Sequence, residues 1–238
     1  MMRFKKPLLI IGALLSGIAF NARATLTSYS GADGIGLVYS SVSNVTWTRD
    51  ANLFKTLSDA NPNLINLIAA VTPIYNDPVM GVQAVGDDDF DTAMGLLSWW
   101  GAEAFTNYLN SINYGGSNQW TLPSAGTNPR LGYNKTGSNF GQLFYTELGG
   151  TAHNSIPNTA VFNNEQSAAY LAAEYAPYPV YSWAFNTSAG EQFFYPKGLK
   201  GRAWVVSPGQ VPAAVPLPSA AWLMGGSLLG LAGMKRRS

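Results

Sequence analysis

The residues of this chain best suited to chemistry are a lone histidine, a few glutamates and a short aspartate run. His153 lies in the loop-like stretch Gly149-Gly150-Thr151-Ala152-His153-Asn154-Ser155. A Ser-His-Asp site would have to use it, yet no G-x-S-x-G turn is present to hold a nucleophilic serine. Glu147, Glu165 and Glu174 have the chemistry of a glycosidase pair, but spacing along the chain cannot set two of them across a cleft. Asp87-Asp88-Asp89-Phe90-Asp91 is the sharpest charged feature. Hard oxygen ligands at Asp87, Asp89 and Asp91 suggest calcium and begin like an EF-hand loop. The match then fails, because Thr92 stands where the loop needs Gly and Ser98 where it needs Glu. The alternative is an acidic turn whose charge favours the N-terminus of the helix that follows. A further chemistry is non-covalent. Asn, Ser, Thr and Gln offer paired donors and acceptors for sugar hydroxyls, and Tyr and Trp offer flat faces for sugar rings. Gly116-Ser117-Asn118-Gln119-Trp120 and residues 170–181 combine both, which makes Trp120, Tyr175 and Tyr178 the candidate glycan-binding residues.

The elements that must position these residues can be read from periodicity. Gly36-Leu37-Val38-Tyr39 and Val45-Thr46-Trp47 predict two strands joined as a hairpin by residues 40–44. Asp50 can cap a helix carrying Leu53, Phe54 and Leu57. Asn61-Pro62-Asn63 starts another, with Leu64, Leu67, Ile68 and Val71 as its apolar stripe and Pro73 as its end. Ser98 can cap a helix over residues 99–112 whose face is Trp100, Ala104, Phe105, Tyr108, Leu109 and Ile112, stopped at Tyr114-Gly115-Gly116. The last third predicts an antiparallel meander: residues 180–186 alternate, residues 187–190 turn, and strands follow at 192–195 and 202–206. Helices first and strands last predict an α+β fold, a single mixed domain over residues 25–208.

The whole chain has 238 residues, 47% hydrophobic, 13% aromatic and 11% charged, which excludes a solvated disordered chain. With no cysteine, it can hold no disulfide scaffold, thiol nucleophile or thiolate zinc site. Its formal charge of +1 hides an uneven distribution. Arg3, Lys5, Lys6 and Arg23 lie at one end, and Lys235, Arg236 and Arg237 at the other. The body keeps Arg49, Lys55, Arg130, Lys135, Lys197, Lys200 and Arg202 against all 13 acidic residues, a net charge of about −6. That balance argues against nucleic acid as a partner.

Both ends read as addresses. A basic start, an apolar run over residues 7–20 and small residues at Ala22 and Ala24 make residues 1–24 a signal peptide cleaved after Ala24. A membrane anchor is the alternative, although the apolar run is short of a full span. At the other end, residues 209–216 form a proline-punctuated linker and open a sorting motif. Residues 217–234 are apolar, and as a helix span about 27 Å, close to a hydrocarbon core. The basic tip, residues 235–238, should stay cytoplasmic through Lys235, Arg236 and Arg237. The alternative, a buried C-terminal helix of the domain, fits poorly with the proline linker and the terminal cations.

Val215-Pro216-Leu217-Pro218-Ser219, followed by the apolar helix and the Arg-rich tip, resembles the VPLPA variant of PEP-CTERM tails. Ser219 stands where that motif usually has Ala. The resemblance implies an exopolysaccharide-producing Gram-negative host, an exosortase as partner, temporary inner-membrane retention and cleavage near the motif by that membrane-embedded cysteine protease.

Motifs in the body also point to a family. In order they are Val45-Thr46-Trp47-Thr48-Arg49-Asp50-Ala51-Asn52, then Trp120-Thr121-Leu122-Pro123-Ser124, then Gly141-Gln142-Leu143-Phe144-Tyr145-Thr146-Glu147-Leu148-Gly149. Glu174-Tyr175-Ala176-Pro177, Trp183-Ala184-Phe185 and Ala203-Trp204-Val205-Val206-Ser207-Pro208-Gly209 follow. Together they resemble the DUF1566, or Lcl C-terminal domain-like, family, whose hallmarks are a W-x-L-P-S/T turn and a closing A-W-x-V-x-P-G strand. The resemblance implies a fold related to C-type lectins. The chain departs from it at Leu171-Ala172-Ala173, where many relatives carry Trp-Ser-Ser-Thr. It departs again at Val206-Ser207, where an Arg often precedes Pro-Gly. Read physically, the motifs are mostly structural: Trp120 fills a core, Pro123 fixes a turn, Ser124 bonds the next amides, and Trp47, Trp183 and Trp204 are core residues on strands.

The expectation is therefore an exported, exosortase-sorted, non-enzymatic surface or matrix protein associated with exopolysaccharide or cell-surface glycan. It is held at the inner membrane by its C-terminal helix before release or surface display. It needs no cofactor unless calcium binds the aspartate run. The alternatives are an adhesion protein that binds protein partners and a secreted glycan hydrolase.

Overall fold

A computed structural model describes residues 26–214. The expected signal peptide over residues 1–24, the sorting-like motif at 215–219, the apolar segment at 217–234 and the basic tip lie outside the described residues. Among the described residues, no helix is long and apolar enough to cross a membrane.

The chain opens with three antiparallel strands, β1 (Leu26–Ser30), β2 (Gly36–Ser40) and β3 (Val45–Thr48). The expected hairpin forms between β2 and β3, with Val38 opposite Trp47. Asn44 takes a left-handed conformation in its turn, with φ of 51°, which Asn tolerates better than most residues. Its side chain accepts a hydrogen bond from the Tyr39 hydroxyl at 2.9 Å.

Two short helices follow, α1 (Leu53–Ala60) and α2 (Leu64–Val71). Asp50 does not cap α1, since Asn52 occupies the cap position without a side-chain bond. Asp50 instead ties the turn to the helix, accepting from the Asn52 amide at 2.8 Å and the Thr56 hydroxyl at 2.6 Å. On α2 only Leu64 and Ile68 are buried, while Leu67 and Val71 are exposed. The helix rests on a neighbour along one i, i+4 row, which is narrower than the apolar stripe.

The sequence offered no element between Pro73 and the aspartates, yet a hairpin lies there: β4 (Ile74–Asp77) and β5 (Gly81–Ala84). Asp77 closes its turn by accepting from the amides of Val79 at 2.9 Å and Met80 at 3.0 Å. A small ladder, β6 (Phe90–Asp91) with β7 (Leu96–Leu97), leads into α3 (Trp99–Ser111). Ser98 caps α3 as its position predicts, accepting from the Gly101 amide at 3.0 Å. Ala104, Phe105 and Leu109 face the core, while Ile112 lies past the last turn and is exposed.

After β8 (Gly132–Tyr133), α4 (Asn139–Gly141) runs into a π-helical turn, Gln142–Glu147. The strands β9 (Ala169–Tyr175), β10 (Tyr181–Asn186) and β11 (Glu191–Pro196) complete a second antiparallel sheet, ordered β8-β11-β10-β9. The meander is therefore real, but its third strand is not residues 202–206. β8 takes the place beside β11, and β9, also from upstream, pairs with the other side of β10. Val206–Pro208 forms β12 and pairs with β3, closing the first sheet in the order β1-β2-β3-β12. Alternation marks a segment as extended without naming the strand it joins. The α+β class and the antiparallel sheets hold. Helices first and strands last does not, because the first sheet is built from both ends of the described chain.

The buried residues form two main clusters, and several extended segments lie between them. Along 203–206, Ala203 and Val205 face the cluster around α3, while Trp204 and Val206 face the cluster of Trp47, Phe140 and Phe185. Leu37 and Val38 divide in the same way, as do Leu171 and Tyr170. The closing motif is thus a spine: Trp204 is fully buried, meets Trp47 at 5.1 Å and donates from Nε1 to the Thr48 carbonyl at 2.9 Å.

Candidate functional site

The aspartate run is a structural turn. Asp87 and Asp88 are exposed, but Asp89 points inward, where it accepts from the Ser98 hydroxyl and, at 3.1 Å, from the Gly86 amide. Asp91 accepts from the Met94 amide at 2.9 Å. The carboxylates of Asp87, Asp89 and Asp91 thus diverge, and among the described residues no group of three acidic, His or Cys residues is arranged to hold a metal ion. A spacing of two puts carboxylates on one side only in a regular loop, and here a single helical turn intervenes.

The other candidates for covalent chemistry are equally dispersed. Glu147 faces the Ser40 hydroxyl, which lies 2.8 Å and 3.0 Å from its two oxygens. Burial pushes its carboxyl above the ordinary range, and the Ser40 hydrogen bond opposes that. Glu165 keeps one buried carboxylate oxygen without a partner, and Glu174 belongs to β9. His153 has a left-handed backbone, and its ring lies 4.1 Å from that of Tyr133.

Trp120 is a correction. Its side chain is 1% exposed, and its indole N–H donates to the Tyr114 carbonyl at 2.9 Å. Its backbone is clamped by Asn110 of α3, so it offers no ring face to a sugar. Trp120 instead anchors the turn that builds the better site. Ser124 accepts from the Gly126 amide at 3.0 Å, as the turn chemistry predicts, and Asn139 accepts from the Ser124 amide at 2.7 Å. Gly126 has φ of +99°, and a Cβ there would lie 2.4 Å from the Gly137 carbonyl oxygen. From beneath, the buried Gln192 side chain donates to the carbonyls of Ala125 and Arg130 at 3.3 Å and 3.2 Å.

The loop so held, residues 126–130, separates two depressions. One, of about 500 Å³, is bordered by this loop with Tyr175, Ala176, Pro177 and Trp183. The other, of about 310 Å³, lies toward Asn134, Lys135, Thr136 and Gln192. Beside the first, Tyr178 is 58% exposed and stands edge-on to Phe194 at 5.7 Å, which in turn meets Trp183 at 4.5 Å. Sugar-sized apolar faces therefore sit next to amide, hydroxyl and guanidinium groups, the composition that non-covalent saccharide contact requires.

No family model, curated protein or solved structure matches this chain.

Tyr175 forms the wall between the depression and the interior, and sequence reading missed what lies behind it. Lys197, fully buried, places Nζ 3.9 Å from the Tyr175 ring centroid and 5.3 Å from that of Trp99. The same Nζ is 2.7 Å from Asp77 Oδ2, and both side chains are 0% exposed. Asp77 also accepts from the Trp100 indole at 3.1 Å. Burial alone would raise the Asp77 carboxyl, but bonds from Lys197, the Met80 and Val79 amides and Trp100 outweigh it and hold it at about 2. Burial raises the Tyr175 phenol, which stays protonated as a neutral donor and acceptor. No local signal announces this ion pair, because its partners are 120 positions apart.

A third cleft, about 440 Å³, lies between β1, β2 and α1. Its charged groups are engaged in the fold: Arg49 donates to the carbonyls of Val161 and Ala160, and both Asp50 oxygens are occupied.

Proposed function

We propose that this chain is an exported, exosortase-sorted surface or extracellular-matrix protein whose body binds exopolysaccharide or cell-surface glycan without catalysing a reaction. The observation that carries this reading is the depression bordered by residues 126–130, where half-buried Tyr175 and the edge of Trp183 adjoin polar groups on a braced loop and exposed Tyr178 stands beyond Phe194. Export and sorting are supported by the signal-like start and the VPLPS tail, with the exosortase as partner and the membrane as temporary anchor. Membership of the DUF1566 family and a C-type-lectin-like fold are supported by the ordered motifs, the two antiparallel sheets and the aromatic-rich β10 and β11. The body's net negative charge still speaks against nucleic acid.

The test is co-sedimentation with polysaccharide from an exosortase-positive host, in calcium and in chelator. Saturable binding is expected in both. Tyr178→Ala, at an exposed position outside the core, should weaken it roughly five- to tenfold, the scale of one lost aromatic contact. Retention unchanged by that substitution would sink the assignment.

A second reading, adhesion to a protein partner, is favoured by one observation. Ile74, Val79 and Val82 of the β4–β5 hairpin are 50%, 55% and 67% exposed, beside Leu67 and Val71 of α2. Under it, Val82→Asp would abolish partner capture and leave polysaccharide binding untouched.

A further inference from the structure

We infer that the paired depressions select acidic saccharides, chains bearing uronate carboxylates, through Arg130 and Lys135; this rests on the glycan-binding reading above. Among the described residues no acidic side chain lines either depression, whereas Arg130 borders both and Lys135 borders the second. In a body with a net negative charge, two cations therefore stand together, one at the end of the short loop and one just beyond it.

Lys55 and Lys197 are paired with Asp59 and Asp77, and Arg49 and Arg202 donate to backbone oxygens. Arg130 and Lys135 make no side-chain hydrogen bond or ion pair among the described residues. Their charge is therefore uncommitted within the fold and free for a ligand. Gln192 bonds the carbonyl of Arg130 itself, so the residue that carries the guanidinium is fixed at its backbone while its side chain reaches solvent.

A guanidinium presents a planar fork that matches a carboxylate bidentately, and an ammonium acts as a point charge nearby. A uronate joins a flat C–H face, suited to the ring of Tyr178, to a carboxylate on the edge of the same sugar. A neutral sugar would use the aromatic face and leave both cations unmatched.

The experiment compares an oligogalacturonate hexasaccharide with its carboxyl-reduced neutral counterpart, using full-length protein in mild detergent and calorimetry or fluorescence. The acidic oligomer is expected to bind about tenfold or more tightly, the worth of one charge-assisted contact. Its affinity should fall as salt rises from about 50 to about 300 mM, because exposed charges are screened over that range. Arg130→Gln should weaken acidic binding roughly five- to tenfold and Lys135→Gln roughly two- to threefold, each weakening acidic binding more than neutral binding and leaving the melting temperature unchanged. Equal affinity for the two oligomers, or no effect of Arg130→Gln, overturns the inference while the glycan reading stands. Equal binding of polyglutamate also overturns it, since charge alone would then suffice. Binding of neither oligomer removes the glycan reading and this inference together.

Discussion

Asp77 and Glu147 illustrate how burial acts on a carboxylate with and without a cation. Asp77 sits at about 2, below its ordinary 3.8, because Lys197 and three N–H donors favour its charged form. A depressed carboxylate contributes stability above its unfolded value and loses it as pH falls through its folded value. The net stabilisation from ionised Asp77, about 2 kcal/mol shared among Lys197, the Val79 and Met80 amides and Trp100, should thus be intact at neutral pH and fall away between about pH 4 and about pH 2. Glu147 works in the opposite sense: its raised carboxyl destabilises the fold once ionised, so Glu147→Gln should remove a loss of stability that appears as pH rises through the carboxylate range. Lys197→Met should cost about 3–5 kcal/mol by stranding a buried Asp77, with Asp77→Asn in the same chain restoring much of it. Urea titrations of the three variants across pH check both the magnitude and the window. If Lys197→Met alone is neutral, the pair does not hold the hairpin to β11.

At the scale of elements, the loop at 126–130 depends on two neighbouring glycines in different ways. Gly126 has a positive φ and no room for a methyl group, whereas a Cβ on Gly137 would meet nothing within 4 Å. Gly126→Ala should therefore cost about 1–3 kcal/mol and move the loop that forms both depressions, abolishing glycan binding. Gly137→Ala should be silent in melting temperature and in binding. Equal effects of the two would mean that the loop is not held from the Gly137 side. Local elements of this kind were legible where the chemistry is local. The Ser98 cap, the Ser124 turn and the β2–β3 hairpin all formed as spacing predicts, because each involves residues a few positions apart. The β4–β5 hairpin was missed because its strands are only four residues long, and its turn relies on Asp77, which reads as an ordinary surface residue.

For the molecule as a whole, β12 joins the last described residues to the first sheet, and the linker continues along it. The Val211 carbonyl accepts from the Tyr29 hydroxyl at 2.8 Å, and the Ala214 amide donates to the Ser30 carbonyl at 2.9 Å. The last described residue, Ala214, therefore lies against the first sheet, at the end of β1. Deleting residues 215–238 should leave the thermal transition of the body unchanged and convert the protein from membrane-held to soluble in cells lacking exosortase. Fractionation and a melting curve check the two halves separately. Unchanged membrane retention would refute the tail argument.

The sequence by itself determined the class of the fold, the capped helix α3, the burial of Trp47, Trp183 and Trp204 and the depletion of positive charge in the body. These follow from composition, period and near-neighbour chemistry, which survive whatever the chain later packs against. Only the tertiary structure decided which strand residues 202–206 would serve, that Trp120 is core, that the aspartates diverge, and that Lys197 meets Asp77 behind Tyr175. The reason is common to all four. An extended segment, an indole or a charged side chain looks the same in sequence whether it faces solvent or interior, and its partner is chosen by tertiary packing, across 120 positions in the case of Lys197 and Asp77.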